Sequence, residues 1–235
     1  MDILIFGGIV SLTVICPTKG RPASVAAAWE SFQATRILPD TKLVFAISEN
    51  EPIATDDHLL YEGIPLVIVP HREWMNEILQ SAVDRVLEGE ASPSLLGFIG
   101  DDNRFRTEGW DLAVTDTLAG GGYAYAWDLL RNDIPTHVFV TASIVRALGY
   151  FGLRGARHLY IDNAWKVLGE GAGCLHYMGD TIIEHLHPFF GKGQMDNVYR
   201  DANSEEMYSH DRDVFVSWLQ QGADADIQKV RDTLA

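Results

Sequence analysis

Residues 94–103 read SLLGFIGDDN, a short apolar run that ends in two adjacent aspartates. The run has the length and composition of a buried strand, and Asp101 and Asp102 follow it at its carboxyl end. Like charges held this close raise each other's pKa unless a cation or strong hydrogen-bond donors lie between them. The pair therefore indicates either a turn that exposes both carboxylates to water or a site that binds a cation.

The same pattern of an apolar run followed by polar residues occurs twice upstream. LTVICP at 12–17 is followed by TKGRP, and KLVFAIS at 42–48 is followed by Glu49. A third apolar run, IPLVIVP at 64–70, is bounded by prolines. Strands that are apolar throughout are typical of a sheet that is covered on both faces.

Helical patterns separate these predicted strands. Val25, Trp29 and Phe32 recur at helical spacing after the first strand, and HREWMNEILQSAVDRVLEG at 71–89 carries one apolar stripe that stops at a glycine. Strands that alternate with helices predict right-handed crossovers and a mostly parallel sheet, with ligand sites at the carboxyl ends of the strands. We therefore predict a single α/β domain.

The pattern becomes less regular after Gly120–Gly122. Segments such as YAYAW and THVFVTASIVRALGYFG alternate less clearly, and a helical tail surrounds DVFVSWLQQ. No linker is long enough to separate two independent domains. We expect 1–120 to form one half of the domain, and 121–235 to form the other half with a C-terminal helical extension.

The composition narrows the class of ligand. The chain has 235 residues and a formal net charge of −15, which repels phosphate backbones and disfavours bulk DNA or RNA binding. A phosphorylated ligand would need a divalent cation or focused arginines to offset this repulsion. The charge is thus a first indication of a metal.

The cysteines and the N-terminus indicate no disulfide framework and no membrane anchor. Cys16 and Cys174 are the only cysteines and have no CxxC spacing. The N-terminal run MDILIFGGIVSLTVICP lacks a basic region and is shorter than the roughly 20 apolar residues that span a bilayer, so we interpret it as a strand. We expect a cytoplasmic protein without a membrane span.

Two of the strand-end segments offer polar groups for a nucleotide. TKGRP can bind phosphate through backbone donors and through Lys19 or Arg21, although it matches neither the P-loop nor GxGxxG, and an ordinary turn explains it equally well. Glu49 can accept hydrogen bonds from a uracil or a ribose. Helix capping or solvent exposure is the alternative for Glu49.

Oxygen and nitrogen ligands for Mn²⁺ or Mg²⁺ come from two segments. Asp102 and Asn103 supply oxygens, and EHLHP at 184–188 places His185 and His187 two residues apart, on one face if the segment is a strand. Imidazole suits Mn²⁺ better than it suits Ca²⁺. The alternative is that both histidines are structural.

Asp162 follows the apolar Tyr160 and Ile161 and precedes a tryptophan. It is either a helix N-cap, a position that favours aspartate, or a general base in a partly desolvated cleft. The sequence contains no GxSxG elbow and no HExxH motif, so hydrolase chemistry has little support.

The ordered set of these segments resembles nucleotide-sugar-dependent glycosyltransferases of the GT-A fold, a Rossmann-like arrangement, and looks most similar to small phage-type relatives of family 2. The resemblance covers about residues 12–200 and rests on the segments PTKGRP, AISEN, MNEIL, GDDN, YIDNAW and EHLHP. It implies a hexosyltransferase that uses a nucleotide diphosphate sugar and that works in the cytoplasm of a host cell if a phage encodes it.

The resemblance also implies roles for individual residues. It assigns the nucleotide sugar to Pro17, Thr18, Arg21, Glu49, Asn76 and Asp101, the metal to Asp102 and Asn103 with His185 or His187, and the base to Asp162. The base at Asp162 implies an inverting transfer from a UDP-sugar. Asn103 departs from the DxD pattern, because a neutral amide is a weaker cation ligand than a carboxylate.

Three functions stay open at this point. The first is the metal-dependent glycosyltransferase, with a modified DNA base, a protein or a glycan as acceptor; the charge of −15 disfavours duplex DNA. The second is a nucleotidyltransferase of a sugar phosphate, for which PTKGRP is a poor glycine-rich loop. The third is a non-catalytic nucleotide-binding module, which Asn103 favours.

Overall fold

A computed structural model describes residues 10–51, 63–193 and 195–235. These residues form an α/β fold of strands and helices around one sheet. The strands are β1 (Leu12–Pro17), β2 (Thr41–Ser48), β3 (Leu66–Val69), β4 (Leu95–Phe98), β5 (Asn103–Phe105), β6 (Tyr123–Trp127), β7 (Val138–Thr141) and β8 (Leu175–His185). The predicted strand character of residues 1–9 lies outside the described residues.

The helices alternate with the strands in the first half and cluster at the C-terminus. They are α1 (Pro22–Thr35), α2 (Met75–Glu88), α3 (Trp110–Thr117), α4 (Ala142–Leu148), α5 (Ile161–Ala172), α6 (Asn197–Ala202), α7 (Glu205–Gln221) and α8 (Ala223–Leu234), with a short 3-10 helix at Pro188–Phe190. Among the helices of the described ranges, none is long and apolar enough to cross a membrane.

The sheet has the strand order β3-β2-β1-β4-β7-β6-β8-β5. β1 lies between β2 and β4 and is parallel to both, and β2 is parallel to β3, as the alternating pattern predicts. Antiparallel pairs join β4 to β7, β7 to β6 and β8 to β5, whereas β6 and β8 are parallel. The second half of the chain thus extends the same sheet, and the predicted single α/β domain is confirmed.

Helix starts follow local sequence signals. Pro22 occupies the first turn of α1, where its missing N–H removes no intrahelical bond. The Glu77 carboxylate accepts the backbone N–H of Trp74 and caps α2, which begins at Met75. Gly89 follows the end of α2, as predicted.

Helices cover both faces of the sheet, and each face has its own core. One core packs α2, α4, α5 and α8 against the sheet, with Trp165 and Phe98 at 5.3 Å between ring centroids. The other lies under α1 and α3, where Phe105 and Trp110 are 4.3 Å apart. Phe98 is the last residue of β4 and Phe105 is the last residue of β5. Both cores therefore extend to the ends of the two strands that flank Asp101 and Asp102.

The C-terminal helices belong to the same folded unit. The buried carboxylate of Asp226 in α8 accepts the Tyr150 hydroxyl at 2.6 Å and Trp218 Nε1 at 3.0 Å. Tyr150 follows α4 and Trp218 lies in α7, so one carboxylate joins three parts of the chain. The predicted C-terminal helical extension is present, and it packs on α4 and α5.

Asp111 in α3 fixes the connection between α1 and β2. Its fully buried carboxylate accepts Ile37 N–H at 3.1 Å and Leu38 N–H at 2.8 Å. Each oxygen of the carboxylate is an acceptor, whereas an asparagine would present one acceptor oxygen and one donor amide to these two donors.

We expect Asp111→Asn to lower the free energy of unfolding by about 1–3 kcal/mol, the cost of leaving a buried donor without its acceptor. Urea denaturation followed by circular dichroism measures the change. Asp116→Asn is the matched control, because Asp116 is exposed in the same helix and should change stability by less than about 0.5 kcal/mol. Equal effects of the two substitutions would contradict the role of Asp111 in fixing the connection between α1 and β2.

Candidate functional site

A cavity of about 830 Å³ lies beyond the carboxyl ends of β1 and β4. It brings together residues from across the whole sequence. Nine of the eleven predicted site residues line it: Pro17, Thr18, Arg21, Asp101, Asp102, Asn103, Asp162, His185 and His187. The strand-end position is where parallel sheets place their ligand sites.

A tight turn places the two aspartates at the end of β4. Gly100 O accepts Asn103 N–H at 3.1 Å, and Gly100 N–H donates to Asn103 Oδ1 at 2.7 Å. A Cβ on Gly100 would lie 2.5 Å from Asp102 Oδ1, so a side chain at this position would collide with the carboxylate. The side-chain oxygen of Asn103 therefore holds the turn, and it faces Gly100.

Asp101 is buried and held by donors from the start of α1. Its carboxylate accepts the Thr18 hydroxyl at 2.6 Å and Arg21 Nη1 at 3.1 Å. Burial raises the pKa of Asp101, and the Arg21 charge and the Thr18 hydrogen bond oppose this rise. The TKGRP segment thus supplies a hydrogen-bond donor and a positive charge that the paired carboxylates require.

Asp102 pairs with a histidine from the far end of the chain. His185 Nε2 lies 3.3 Å from Asp102 Oδ2, because the β5–β8 register pairs Asn103 with His185. Burial by itself would raise the pKa of Asp102, but the bond and charge of His185 hold it below its usual range. The same pair raises the pKa of His185 against the opposing effect of burial.

His187 lies beside His185, but in a different local structure from the one predicted. β8 ends at His185, and His187 is the N-cap of the 3-10 helix, where its Nδ1 accepts Phe189 N–H at 3.2 Å. The prediction that one strand carries both histidines is therefore wrong. The two rings still lie 4.9 Å apart between centroids.

The donor set fits a cation that a diphosphate helps to hold. Within residues 10–51, 63–193 and 195–235, no three His, Cys, Asp or Glu side chains group closely enough to hold a metal ion by themselves. Asp102 and His185 supply one carboxylate and one imidazole side by side. Mg²⁺ and Mn²⁺ commonly use such a partial set and complete it with phosphate oxygens and water.

Asp162 lies in the first turn of α5, in the second half of the chain. Tyr160 is the N-cap residue, in a left-handed conformation with φ of 61°, so the alternative that Asp162 is the N-cap is wrong. Asp162 Oδ1 accepts Asn163 N–H at 2.8 Å. Burial raises the pKa of Asp162, and this hydrogen bond opposes the rise.

Glu49 and Asn76 do not line the cavity. The exposed Glu49 accepts His71 N–H at 3.0 Å. Asn76 is buried, and its Nδ2 donates to the carbonyls of Leu153 at 2.8 Å and Ala156 at 2.9 Å. Asn76 therefore attaches α2 to the loop that precedes α5.

A segment near the C-terminus contributes cavity residues that the motifs do not reveal. Asp196 accepts Arg21 Nε at 2.8 Å and Nη2 at 2.7 Å, which orients the guanidinium that also contacts Asp101. The Tyr199 ring lies 5.4 Å from the Arg21 guanidinium, and its hydroxyl is 3.4 Å from Asp102 Oδ2. The only sequence signal for this segment is the aspartate that caps α6, which predicts a helix and no site.

Arg157 and Trp74 form another part of the wall that sequence reasoning missed. The guanidinium of Arg157 lies 4.5 Å from the centroid of the Trp74 ring, a cation–π contact. Trp74 precedes α2 and Arg157 precedes α5, so the contact joins two loops. No short motif contains either residue, and only the fold brings them together.

The fold is that of solved glycosyltransferases. The chain superposes on Staphylococcus aureus TarS residues 1–349 in complex with UDP (TM-score 0.55, 13% identity, 89% of this chain and 71% of that one). It also matches glucosyl-3-phosphoglycerate synthase from Mycobacterium tuberculosis in complex with Mn²⁺, UDP-glucose and phosphoglyceric acid (TM-score 0.60, 11% identity, 88% and 79%).

A third similar structure is the mannosyltransferase PcManGT from Pyrobaculum calidifontis in complex with GDP-Man and Mn²⁺ (TM-score 0.54, 13% identity, 94% of this chain and 73% of that one). The sequence matches no protein-family model and no curated protein. At these identities the likeness shows the fold alone, and the predicted GT-A fold is confirmed.

The Arg21 contacts generate a stability prediction. Arg21→Gln should lower the free energy of unfolding by about 1–3 kcal/mol at pH 7, because Asp101 loses its buried charged donor. Without Arg21 the pKa of Asp101 rises further above its unfolded value, so the loss should grow as the pH rises from 4 to 7. Urea denaturation across this pH range measures it.

Arg131→Gln is the control for this measurement. Arg131 pairs with Asp133 on the surface, where both side chains are about half exposed, and its loss should cost less than about 1 kcal/mol with little dependence on pH. A pH-independent loss in Arg21→Gln would contradict the role of Arg21 as the countercharge of Asp101.

Proposed function

We propose that this chain is a metal-dependent glycosyltransferase that moves a sugar from a UDP-sugar to an acceptor hydroxyl with inversion. One observation carries the proposal: a single cavity is lined by the Asp101–Asp102 pair, by His185 beside Asp102, and by Asp162, whose pKa is raised by burial. The complexes of the similar structures with UDP, UDP-glucose, GDP-Man and Mn²⁺ support it.

The first half of the chain, 1–120, binds the donor in this proposal. Thr18 and Arg21 lie at the end of β1 and orient Asp101, which accepts hydrogen bonds from the ribose or the sugar. Pro17 forms the floor beside them. Glu49 and Asn76, which lie outside the cavity, have no part in this donor site.

Asp102 and His185 would hold the divalent cation. When bound, Mn²⁺ or Mg²⁺ would supply positive charge that offsets the two aspartates and the charge that develops on the leaving nucleotide. His187 stands next to this pair and packs against His185. Asn103 orients the turn that carries the ligand, and this role explains why an amide is acceptable in place of the last DxD carboxylate.

Asp162 acts as the general base, and it belongs to the second half, 121–235, which faces the acceptor. The acceptor hydroxyl gives its proton to Asp162, and its oxygen forms a bond to the anomeric carbon. The bond from that carbon to the phosphate oxygen breaks, and the electron pair leaves with UDP. A raised pKa suits this task, because a stronger base removes the proton more readily.

The identity of the sugar as a hexose, the acceptor class and the relation to phage-type family 2 enzymes stay predictions. A non-catalytic nucleotide-binding module is the second candidate, and Asn103, an amide where the DxD pattern has a carboxylate, favours it. Turnover separates the two candidates, since both bind a nucleotide and only one releases UDP from a UDP-sugar.

The metal proposal predicts that Mn²⁺ raises the affinity for UDP and that Asp102→Asn removes the gain. His185→Ala should weaken the Mn²⁺-dependent binding by about 1–3 kcal/mol, the cost of a lost charged partner. Isothermal titration calorimetry of UDP in Mn²⁺ and in EDTA measures both effects. His176→Ala is the control, because His176 is exposed on the same strand. Equal UDP affinity in Mn²⁺ and in EDTA would refute the proposal.

The base proposal predicts that Asp162→Asn cuts UDP release from a UDP-sugar by about 10²–10⁴-fold, the usual worth of general base catalysis. Asparagine can still accept the hydrogen bond of Asn163 N–H, so the fold and the UDP affinity should persist. The assay measures UDP release in Mn²⁺ over a panel of UDP-sugars, with and without candidate acceptors analysed by mass spectrometry.

Asp201→Asn is the matched control, since Asp201 is an exposed carboxylate of the same cavity. It should release UDP at close to the rate of the unsubstituted protein. Turnover of Asp162→Asn near that rate would eliminate Asp162 as the base and with it the inverting assignment. Tight UDP binding without any UDP release by the unsubstituted protein would favour the non-catalytic module.

A further inference from the structure

The loop at 157–160 carries the start of α5 and lines the cavity. It leads directly into Asp162, so its backbone determines where that carboxylate lies. Tyr160 in this loop has a φ of 61°, a conformation that non-glycine residues rarely adopt. Such a backbone persists only where surrounding contacts impose it.

The contacts that impose it come from α7. Both oxygens of the Asp211 carboxylate accept backbone hydrogen bonds from the loop: Arg157 N–H at 2.9 Å, His158 N–H at 2.8 Å and Leu159 N–H at 2.7 Å. The carboxylate is fully buried, and His210 Nδ1 contacts it at 2.8 Å. Three consecutive backbone N–H groups therefore converge on one side chain that lies more than 50 residues further along the chain.

An aromatic contact from the same helix adds to this attachment. The ring of Phe215, one turn after Asp211, stacks on the ring of Tyr160 at 5.4 Å between centroids. The backbone carbonyl of Arg157 also accepts Asn76 N–H at 3.0 Å. The loop is thus held by α7 on one side and by α2 on the other.

We propose that Asp211 is a positioning residue of the transfer reaction: it holds residues 157–159 so that Asp162 enters the cavity in a fixed place. This inference rests on the proposed function, because it assigns Asp211 the task of placing the base. Asp211 does not line the cavity, so it acts through the loop and touches no substrate.

Asp211→Asn tests this assignment. Asparagine offers one acceptor oxygen and places a donor amide against backbone donors, so at least one loop N–H loses its partner. We expect the amides of 157–162 to lose protection from hydrogen exchange. The kcat for UDP release should fall by about 10²-fold, the effect of a base displaced by about 1 Å, while KM and UDP affinity change less than about 2-fold.

Asp111→Asn is the matched control. Asp111 is an equally buried aspartate that accepts the backbone N–H groups of a different loop, Ile37 and Leu38, remote from α5. It should lose exchange protection at 36–41, keep it at 157–162, and leave kcat unchanged. Both substitutions replace a buried carboxylate by an amide. A fall of kcat in Asp211→Asn alone therefore indicates a positioning role.

The outcomes decide the inference separately from the proposed function. Full protection of 157–162 in Asp211→Asn, or an equal fall of kcat in Asp111→Asn, would overturn it. If Asp211→Asn does not fold, Phe215→Leu removes the ring contact with Tyr160, together with the one with Trp218, and should lower kcat in the same direction. If the unsubstituted protein neither binds UDP nor releases it, the proposed function fails, and the exchange data still decide whether Asp211 holds the loop.

Discussion

The Asp101–Asp102 pair is the constraint on which the site depends. Two adjacent carboxylates at the end of a buried strand are stable only with countercharges and donors nearby. The chain draws these from its beginning, through Thr18 and Arg21, and from its last strand, through His185. The sheet order that puts β8 next to β5 is therefore also the arrangement that lets Asp102 remain ionised.

Buried aspartates have a second, structural use in this protein. Asp111, Asp128 and Asp211 are each almost fully buried, and each accepts at least two backbone N–H groups of a loop. The backbone N–H groups satisfy carboxylate oxygens that would otherwise be costly to bury. These three aspartates therefore anchor loops from within the protein.

Local signals in the sequence predicted the parallel half of the sheet, the crossover helices and most of the cavity lining. They succeeded because apolar runs and the polar residues that follow them are close in sequence. They failed for Glu49, which points to His71 N–H, and for Asn76, which bonds carbonyls of a loop about 80 residues away. Asp196, Tyr199 and the Arg157–Trp74 contact depend on long-range packing, which no local pattern encodes.

The two walls of the cavity have independent supports. The donor wall rests on the ends of β1 and β4, inside the parallel sheet, where neighbouring strands restrict movement. The wall that carries Asp162 consists of the loop at 157–160 and the first turn of α5, and α7 holds the loop through Asp211 and Phe215. Because residues 157–160 belong to no strand, the position of Asp162 depends on α7 as well as on the packing of α5 against the sheet.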